Sequence, residues 1–101
     1  NKGLWNKHQV ISAAYIKAST SPAYYLKDRA GIPVDFYGYQ MWMNNYKGLE
    51  VVYARGIQGQ FIIVIPEKDI VIVRLGHKRG PNLPNYHPTD FYTYIDFALE
   101  Q

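Results

Sequence analysis

The clearest pattern along the chain is a pair of apolar runs, at 60–65 and 70–75, and each predicts a β-strand. Only Pro66-Glu67-Lys68-Asp69 separates them. Because this connection is too short for a crossover, we predict an antiparallel hairpin. Both runs are apolar at nearly every position instead of alternating, so we expect these strands to be covered on both faces of their sheet.

Two further strands are predicted upstream. The stretch 36–43 is rich in aromatic residues that favour strands, and a turn at 44–48 separates it from a second strand at 49–55. The glycine-containing stretch 56–59 is typical of a tight turn. Residues 23–34 show little periodicity and predict an irregular connection.

Helical spacing of apolar residues occurs near both ends of the chain. It predicts a short helix at about 13–19, with the hydroxyl of Ser12 as its cap. A second helix is predicted to begin at a Thr89 or Asp90 cap and to run to about Leu99. The residues on its apolar face are Phe91, Tyr94, Ile95 and Ala98.

These elements predict an α+β fold in one domain. We expect a helical or irregular segment at 1–34, antiparallel strands within 35–76 and a C-terminal helix within 87–101. Two short helices can scarcely cover both faces of a four-stranded sheet. We therefore expect the other layer to come from the remainder of a parent domain or from another copy of the chain.

Composition narrows the class of protein. The chain has 101 residues, 48% hydrophobic and 19% charged, which is typical of one globular domain. Ten Tyr and two Trp suit half-buried sheet faces and the walls of clefts or interfaces. The absence of Cys excludes disulfide scaffolds and zinc–thiolate sites. No apolar run reaches the length of a membrane span.

The net charge of +3 is spread along the chain, whereas a nucleic-acid surface normally gathers its positive charge on one face. We therefore do not expect a nucleic-acid partner. The one dense basic cluster is Arg74, His77, Lys78 and Arg79. It is compatible with phosphate binding, but a solvated loop after a strand explains it as well.

The chain contains no self-sufficient catalytic constellation. A serine acyl-transfer site of the Ser-x-x-Lys kind needs a Lys three residues after its Ser, and Ser12, Ser19 and Ser21 all lack it. These serines are better interpreted as cap and turn residues. The three His are each alone, without a second ligand at helical spacing, so we expect no metal site. No phosphate loop or dinucleotide motif is present, and we expect no cofactor.

The stretch from Tyr53 to Leu75 resembles the last strands of class C β-lactamases. The same order occurs in related penicillin-binding proteins, esterases and 6-aminohexanoate-dimer hydrolases: a small-residue motif, a Gly-rich turn, an apolar strand, Pro-Glu-Lys and a second apolar strand. Upstream, 37–42 resembles the family's aromatic strand, and 3–6 and 12–21 resemble its preceding helices. The resemblance covers nearly the whole chain. It implies the C-terminal part of a β-lactamase/transpeptidase-like α/β/α sandwich.

The resemblance also implies a function. The parent protein would be a serine hydrolase that cleaves small-molecule amides or esters through an acyl-enzyme, acting in the periplasm or elsewhere outside the cytoplasm. Its Ser-x-x-Lys would lie outside this chain, which would be inactive alone. Ala54-Arg55-Gly56 would match the family's third motif, with the backbone N–H of Ile57 as an oxyanion-hole donor. Asn82 matches a residue of the run that helps to hold the substrate carboxylate.

Two departures from the family pattern change which class of substrate we expect. Ala54 stands where the family has Lys, His or Trp, and Arg55 should not replace that group because adjacent strand residues face opposite ways. The run 79–85 keeps the family's Asn at Asn82 but not its final Arg. A broad amide or ester hydrolase therefore fits the pattern better than a class C β-lactamase.

Other interpretations remain open. Gly56 and Gly59 would suit the turn of any hairpin, and Asn82 would suit a loop between prolines. A different class of function is a small aromatic-rich module that binds carbohydrate or single-stranded nucleic acid by stacking, which the strand at 36–43 favours. The hydrolase fragment and the binding module differ in whether both faces of the strand at 60–65 are buried within this chain. A face left bare within this chain favours the hydrolase fragment.

Overall fold

A computed structural model describes residues 2–23, 27–78, 80–85 and 87–101. The chain packs as two compact units, 1–44 and 45–101. Two antiparallel sheets and two α-helices make up the α+β fold, which confirms the predicted class. Among the described residues, no helix has both the length and the apolar character needed to cross a membrane.

The first unit begins with a small hairpin, so the helix that the family resemblance implied at 3–6 is wrong. Strands β1 (Leu4–Trp5) and β2 (His8–Gln9) pair antiparallel. Asn6 and Lys7 form its two-residue turn with positive φ values of 48° and 67°, which match the twist of a hairpin. Strands of two residues are too short to show an alternating pattern, so the sequence carries little signal for them.

Helix α1 (Ala13–Ser19) confirms the predicted bounds and cap. The Tyr15 amide donates to the Ser12 hydroxyl oxygen at 3.1 Å, which satisfies one of the unpaired N–H groups of the first turn. At the other end, the Thr20 hydroxyl donates to the carbonyl of Ile16 at 2.7 Å.

The predicted strand at 36–43 is wrong in its bounds. Strand β3 spans Trp42–Tyr46, and the residues before it bend, with the Gly38 amide donating to the Met41 carbonyl at 2.9 Å. The Trp42 ring packs against Phe36 and Tyr37, with centroids 5.6 and 5.1 Å apart. Packing of these rings on one another therefore overrides their preference for an extended strand.

The predicted turn at 44–48 is also shorter than expected. It contains only Lys47 and Gly48, whose φ values of 53° and 77° are those of a tight two-residue hairpin turn. Asn44, Asn45 and Tyr46 belong to β3 instead.

Four strands form the main sheet, in the order β3-β4-β5-β6. Strand β4 spans Leu49–Gly56, β5 spans Gln60–Ile65 and β6 spans Ile70–Arg74. These bounds agree with the predicted strands to within one residue. The antiparallel pairing of β5 with β6 confirms the predicted hairpin, whose connection is a short 3₁₀ helix, Pro66–Lys68.

Helix α2 (Thr89–Leu99) packs on one face of this sheet. Phe91 and Ile95 of α2 are fully buried, and the Phe91 ring lies 4.2 Å from the ring of Tyr53 on β4. The predicted cap is wrong, because Thr89 and Asp90 lie within the helix after Pro88 at the cap position. Asp90 instead accepts a hydrogen bond from the Gly80 amide at 3.0 Å.

The opposite face of β5 and β6 is open to solvent. Register pairs Ile62 with Val73 and Val64 with Val71, so these four side chains share a face, which we call the outer sheet face. Ile62, Val71 and Val73 are 51%, 64% and 63% exposed. Val52 of β4 pairs with Val64 on the same side of the sheet and is only 4% exposed, so among the described strands the open apolar surface is confined to β5 and β6.

Candidate functional site

The predicted site residues Ala54, Arg55 and Gly56 form the end of β4. They pair with β5 in the register Ala54↔Ile62, Arg55↔Phe61 and Gly56↔Gln60. On its other side β4 neighbours β3, so it is not an edge strand along its whole length. However, β3 has five residues and β4 has eight, and a two-residue turn joins them. The last three residues of β4 therefore extend beyond the end of β3.

The side chains of this strand end point to opposite faces. Ala54 pairs with Ile62 and lies on the outer sheet face, whereas Arg55 lies on the face that α2 covers. Burial raises the pKa of the Tyr53 phenol, and the charge of Arg55 together with its hydrogen bond to the Tyr53 side chain opposes that rise. The guanidinium is thus engaged on the helix side.

The turn that follows carries the predicted backbone donor of Ile57. Ile57 directly follows β4, and its side chain is 80% exposed. Gln58 and Gly59 both have left-handed φ values, 66° and 83°. Arg74 of β6 donates from Nη1 to the carbonyls of both residues.

Arg74 has a role that the sequence did not reveal. It was part of the basic cluster considered for phosphate binding, but its Nη1 also donates to the Lys78 carbonyl at 2.7 Å. His77 and Lys78 are exposed, and Arg79 lies outside the described residues. The partners of Arg74 are 4 to 16 residues away along the chain and on separate segments, so spacing alone gives no signal for this arrangement.

Asn82 lies on the loop between β6 and α2. It is exposed, and its backbone forms a bridge with Pro88, just before α2 begins. Hydrogen bonds of 2.8 Å from the Leu83 amide to the His87 carbonyl and of 3.0 Å from the Thr89 amide to the Pro81 carbonyl hold this loop. The backbone therefore fixes the position of Asn82 at the N-terminal end of α2.

A buried pair beside the strand end was also missed. The hydroxyl of Tyr53 and Nδ1 of His87 are 2.5 Å apart, and both residues are buried. Burial raises the pKa of Tyr53 to about 12, against the opposing effect of the Arg55 charge. The phenol is therefore protonated at neutral pH and does not act as a base. The two residues are 34 positions apart, so only folding brings them together.

The serine hydroxyls form hydrogen bonds with backbone groups in and around α1. Ser12 caps the helix, Ser19 donates to the Ile16 carbonyl at 3.0 Å and Ser21 donates to the Lys17 carbonyl at 2.5 Å. These contacts agree with their interpretation as cap and turn residues. In the described ranges, no group of three or more His, Asp or Glu side chains is placed to hold a metal ion.

Comparison with known proteins does not identify a relative. The chain matches no protein-family model, no curated protein and no solved structure. Its function is therefore argued from its own residues and geometry and from the motif resemblance.

Proposed function

We propose that this chain is the C-terminal part of a serine hydrolase that cleaves amide or ester bonds of small molecules through an acyl-enzyme. The nucleophilic Ser and its Lys base would lie on residues outside this chain. The observation that carries the proposal is the outer sheet face, which stays exposed while α2 covers the other face. In the α/β/α sandwich of the proposed family, layers cover both faces of the sheet.

Energetics support a missing layer over the outer sheet face. Full burial of a Val or Ile side chain is worth about 1.5–3 kcal/mol. Ile62, Val71 and Val73 are each more than half exposed, so this chain alone gains less than half of that burial free energy at these residues. A covering layer would recover it, and contiguous apolar patches on soluble proteins commonly mark such interfaces.

The strand end at Ala54–Gly56 is the position at which we expect the acyl group of the substrate to bind. Because it extends beyond β3, it offers backbone groups beside the outer sheet face, where a second layer would meet it. We assign oxyanion stabilisation to the amide of Ile57, which needs no particular side chain. Ala54 would leave room beside the acyl group, and Asn82 would contact a polar group of the substrate. The proposed location is the periplasm or another extracytoplasmic compartment.

Labelling with a fluorophosphonate probe tests this proposal. The full-length protein should hydrolyse a p-nitrophenyl ester and carry the label on a serine outside residues 1–101, whereas this chain alone should do neither. As a control, the full-length triple variant with Ser12→Ala, Ser19→Ala and Ser21→Ala should keep its activity. Label on one of these three serines, or turnover by the isolated chain, would refute the proposal.

A binding module is the second candidate. Tyr15 and Tyr39 are both about half exposed, and their ring centroids are 6.0 Å apart, which offers two rings for stacking on a sugar or a base. In contrast, the Phe36, Tyr37 and Trp42 rings pack on one another. If the module interpretation holds, oligosaccharide or single-stranded DNA titrated into the chain will shift the NMR signals of Tyr15 and Tyr39. The hydrolase interpretation predicts no such shift.

A further inference from the structure

We propose that Arg74 is a positioning residue, which holds the β4–β5 turn so that the Ile57 amide keeps a fixed direction at the strand end. The inference rests on the proposed function, because it concerns the same oxyanion donor. It concerns a side chain on β6, two strands away from the residues that the motif resemblance identifies.

One guanidinium nitrogen gathers three backbone carbonyls from two segments. Nη1 of Arg74 faces Gln58 O at 3.3 Å, Gly59 O, and Lys78 O at 2.7 Å. Because Nη1 has only two hydrogens, the neighbouring carbonyls of Gln58 and Gly59 share one of them in a bifurcated bond. Hydrogen bonds from a charged donor are roughly twice as strong as neutral ones. Arg74 therefore ties the β4–β5 turn to the loop after β6.

Two glycines leave space for this guanidinium. A Cβ atom at Gly76 would lie 2.6 Å from Cζ of Arg74, closer than any ordinary contact. A Cβ atom at Gly59 would overlap both Nη1 of Arg74 and the Lys78 carbonyl oxygen, and its φ of 83° favours glycine as well. The backbone is thus shaped around the Arg74 side chain on two sides.

Helix α2 supports the guanidinium from a third direction. Cζ of Arg74 lies 5.7 Å from the centroid of the Tyr94 ring, within the range of a cation–π contact. The ring face favours the planar guanidinium over a lysine ammonium, which also lacks the fork of donors. The turn is therefore connected through Arg74 to the helix that packs on the sheet.

This fixation matters for the proposed chemistry. Gln58, the residue after Ile57, has a left-handed φ of 66°, which costs free energy for a residue with a side chain. Without the Arg74 bonds the turn would relax among other conformations. Since an oxyanion donor must lie 2.7–3.1 Å from the developing charge, its loosening lowers kcat more than it raises KM.

Kinetics of the full-length protein test the catalytic part. Arg74→Ala should lower kcat by about 10- to 100-fold with KM changed by less than about twofold, within the range for a weakened oxyanion donor. Added guanidinium ion at low millimolar concentration should restore part of kcat, and Arg74→Lys should restore little. Lys68→Ala, which removes an exposed cation from the turn at the opposite end of β5, should leave both constants unchanged. An unchanged kcat in Arg74→Ala would overturn the inference.

NMR of the present chain tests the fixation separately. Arg74→Ala and Gly76→Ala, which displaces the guanidinium without removing it, should both lower the ¹⁵N heteronuclear NOE of Ile57, Gln58 and Gly59. Lys68→Ala should not. If these amides stay rigid in both variants, Arg74 does not hold the turn and the inference fails. If the turn loosens but the full-length protein hydrolyses no acyl substrate, the proposed function fails and the Ile57 role with it.

Discussion

Tyr53 shows how a single residue joins strand, loop and helix in the second unit. Its ring lies 4.2 Å from Phe91 of α2, and its hydroxyl is 2.5 Å from Nδ1 of His87 in the loop before that helix. Burying a phenol hydroxyl is tolerated only when it has a hydrogen-bond partner. The Tyr53–His87 pair therefore holds the base of the strand end that carries Ala54–Gly56.

Tyr53→Phe should destabilise the chain by roughly 1–3 kcal/mol, because the buried imidazole loses its phenol partner. Urea unfolding followed by circular dichroism measures this change. Tyr15→Phe, at an exposed tyrosine, is the matched control and should change stability by less than about 0.5 kcal/mol. Equal stability of the two variants would contradict the assigned role.

The raised pKa of Tyr53 gives the pair a pH signature. Since the phenol pKa is about 12 in the folded chain against an ordinary value of 10.0, the folded state binds the proton more tightly than the unfolded state. This contribution to stability is fully present below pH 10 and is lost as pH rises from 10 to 12. The Tyr53→Phe variant should lose less stability over that interval than the wild-type chain.

Among the secondary-structure elements, β5 has one buried face and one face that is exposed to solvent. Phe61, Ile63 and Ile65 are buried towards α2, while Ile62 is 51% exposed on the outer sheet face. The apolar run at 60–65 predicts a strand correctly, but apolar residues at every position do not reveal which face the chain itself covers. That depends on where α2 packs.

Neighbouring isoleucines of β5 provide a matched test of this asymmetry. Ile63→Ala should cost about 2–5 kcal/mol because it opens a cavity in the core. Ile62→Ala, the same chemical change one residue away, should cost less than about 1 kcal/mol in this chain, since half of that side chain is already in water. Denaturant midpoints of the two variants compare these costs, and similar values would contradict the one-sided packing.

At the scale of the molecule, the outer sheet face is the feature that bears most on function. Large apolar patches open to water are uncommon on soluble domains and often mark interaction surfaces. Helix α2 does not provide that layer, since it packs on the opposite face of the sheet.

This surface should be detectable in solution with the dye ANS, whose fluorescence rises on exposed apolar surface. The folded chain should bind ANS, and the double variant Val71→Thr and Val73→Thr should reduce the signal severalfold. Because both valines are more than 60% exposed, the variant should unfold at nearly the same urea concentration. ANS fluorescence that does not change in the double variant would show that these residues do not form the dye-binding surface.

The α+β class, helix α1 with its Ser12 cap, strands β4, β5 and β6 and the β5–β6 hairpin could all be predicted from the sequence. These features depend on local preference and on short connections, which neighbouring residues encode. It placed the strand at 36–43 wrongly because aromatic residues favour strands only where the surrounding packing allows it. It placed the cap of α2 wrongly too, since Asp90 bonds to Gly80 across a loop.

Which sheet face is covered, and which side chains meet at the strand end, depends on contacts between distant segments of the folded chain. The Tyr53–His87 pair and the Arg74 bonds to Gln58, Gly59 and Lys78 join residues on different segments. Such contacts depend on strand register and on the packing of α2, which no local pattern specifies. The site residues Ala54–Ile57 and Asn82 came from motif resemblance and remain predictions, because no local pattern places them at a site.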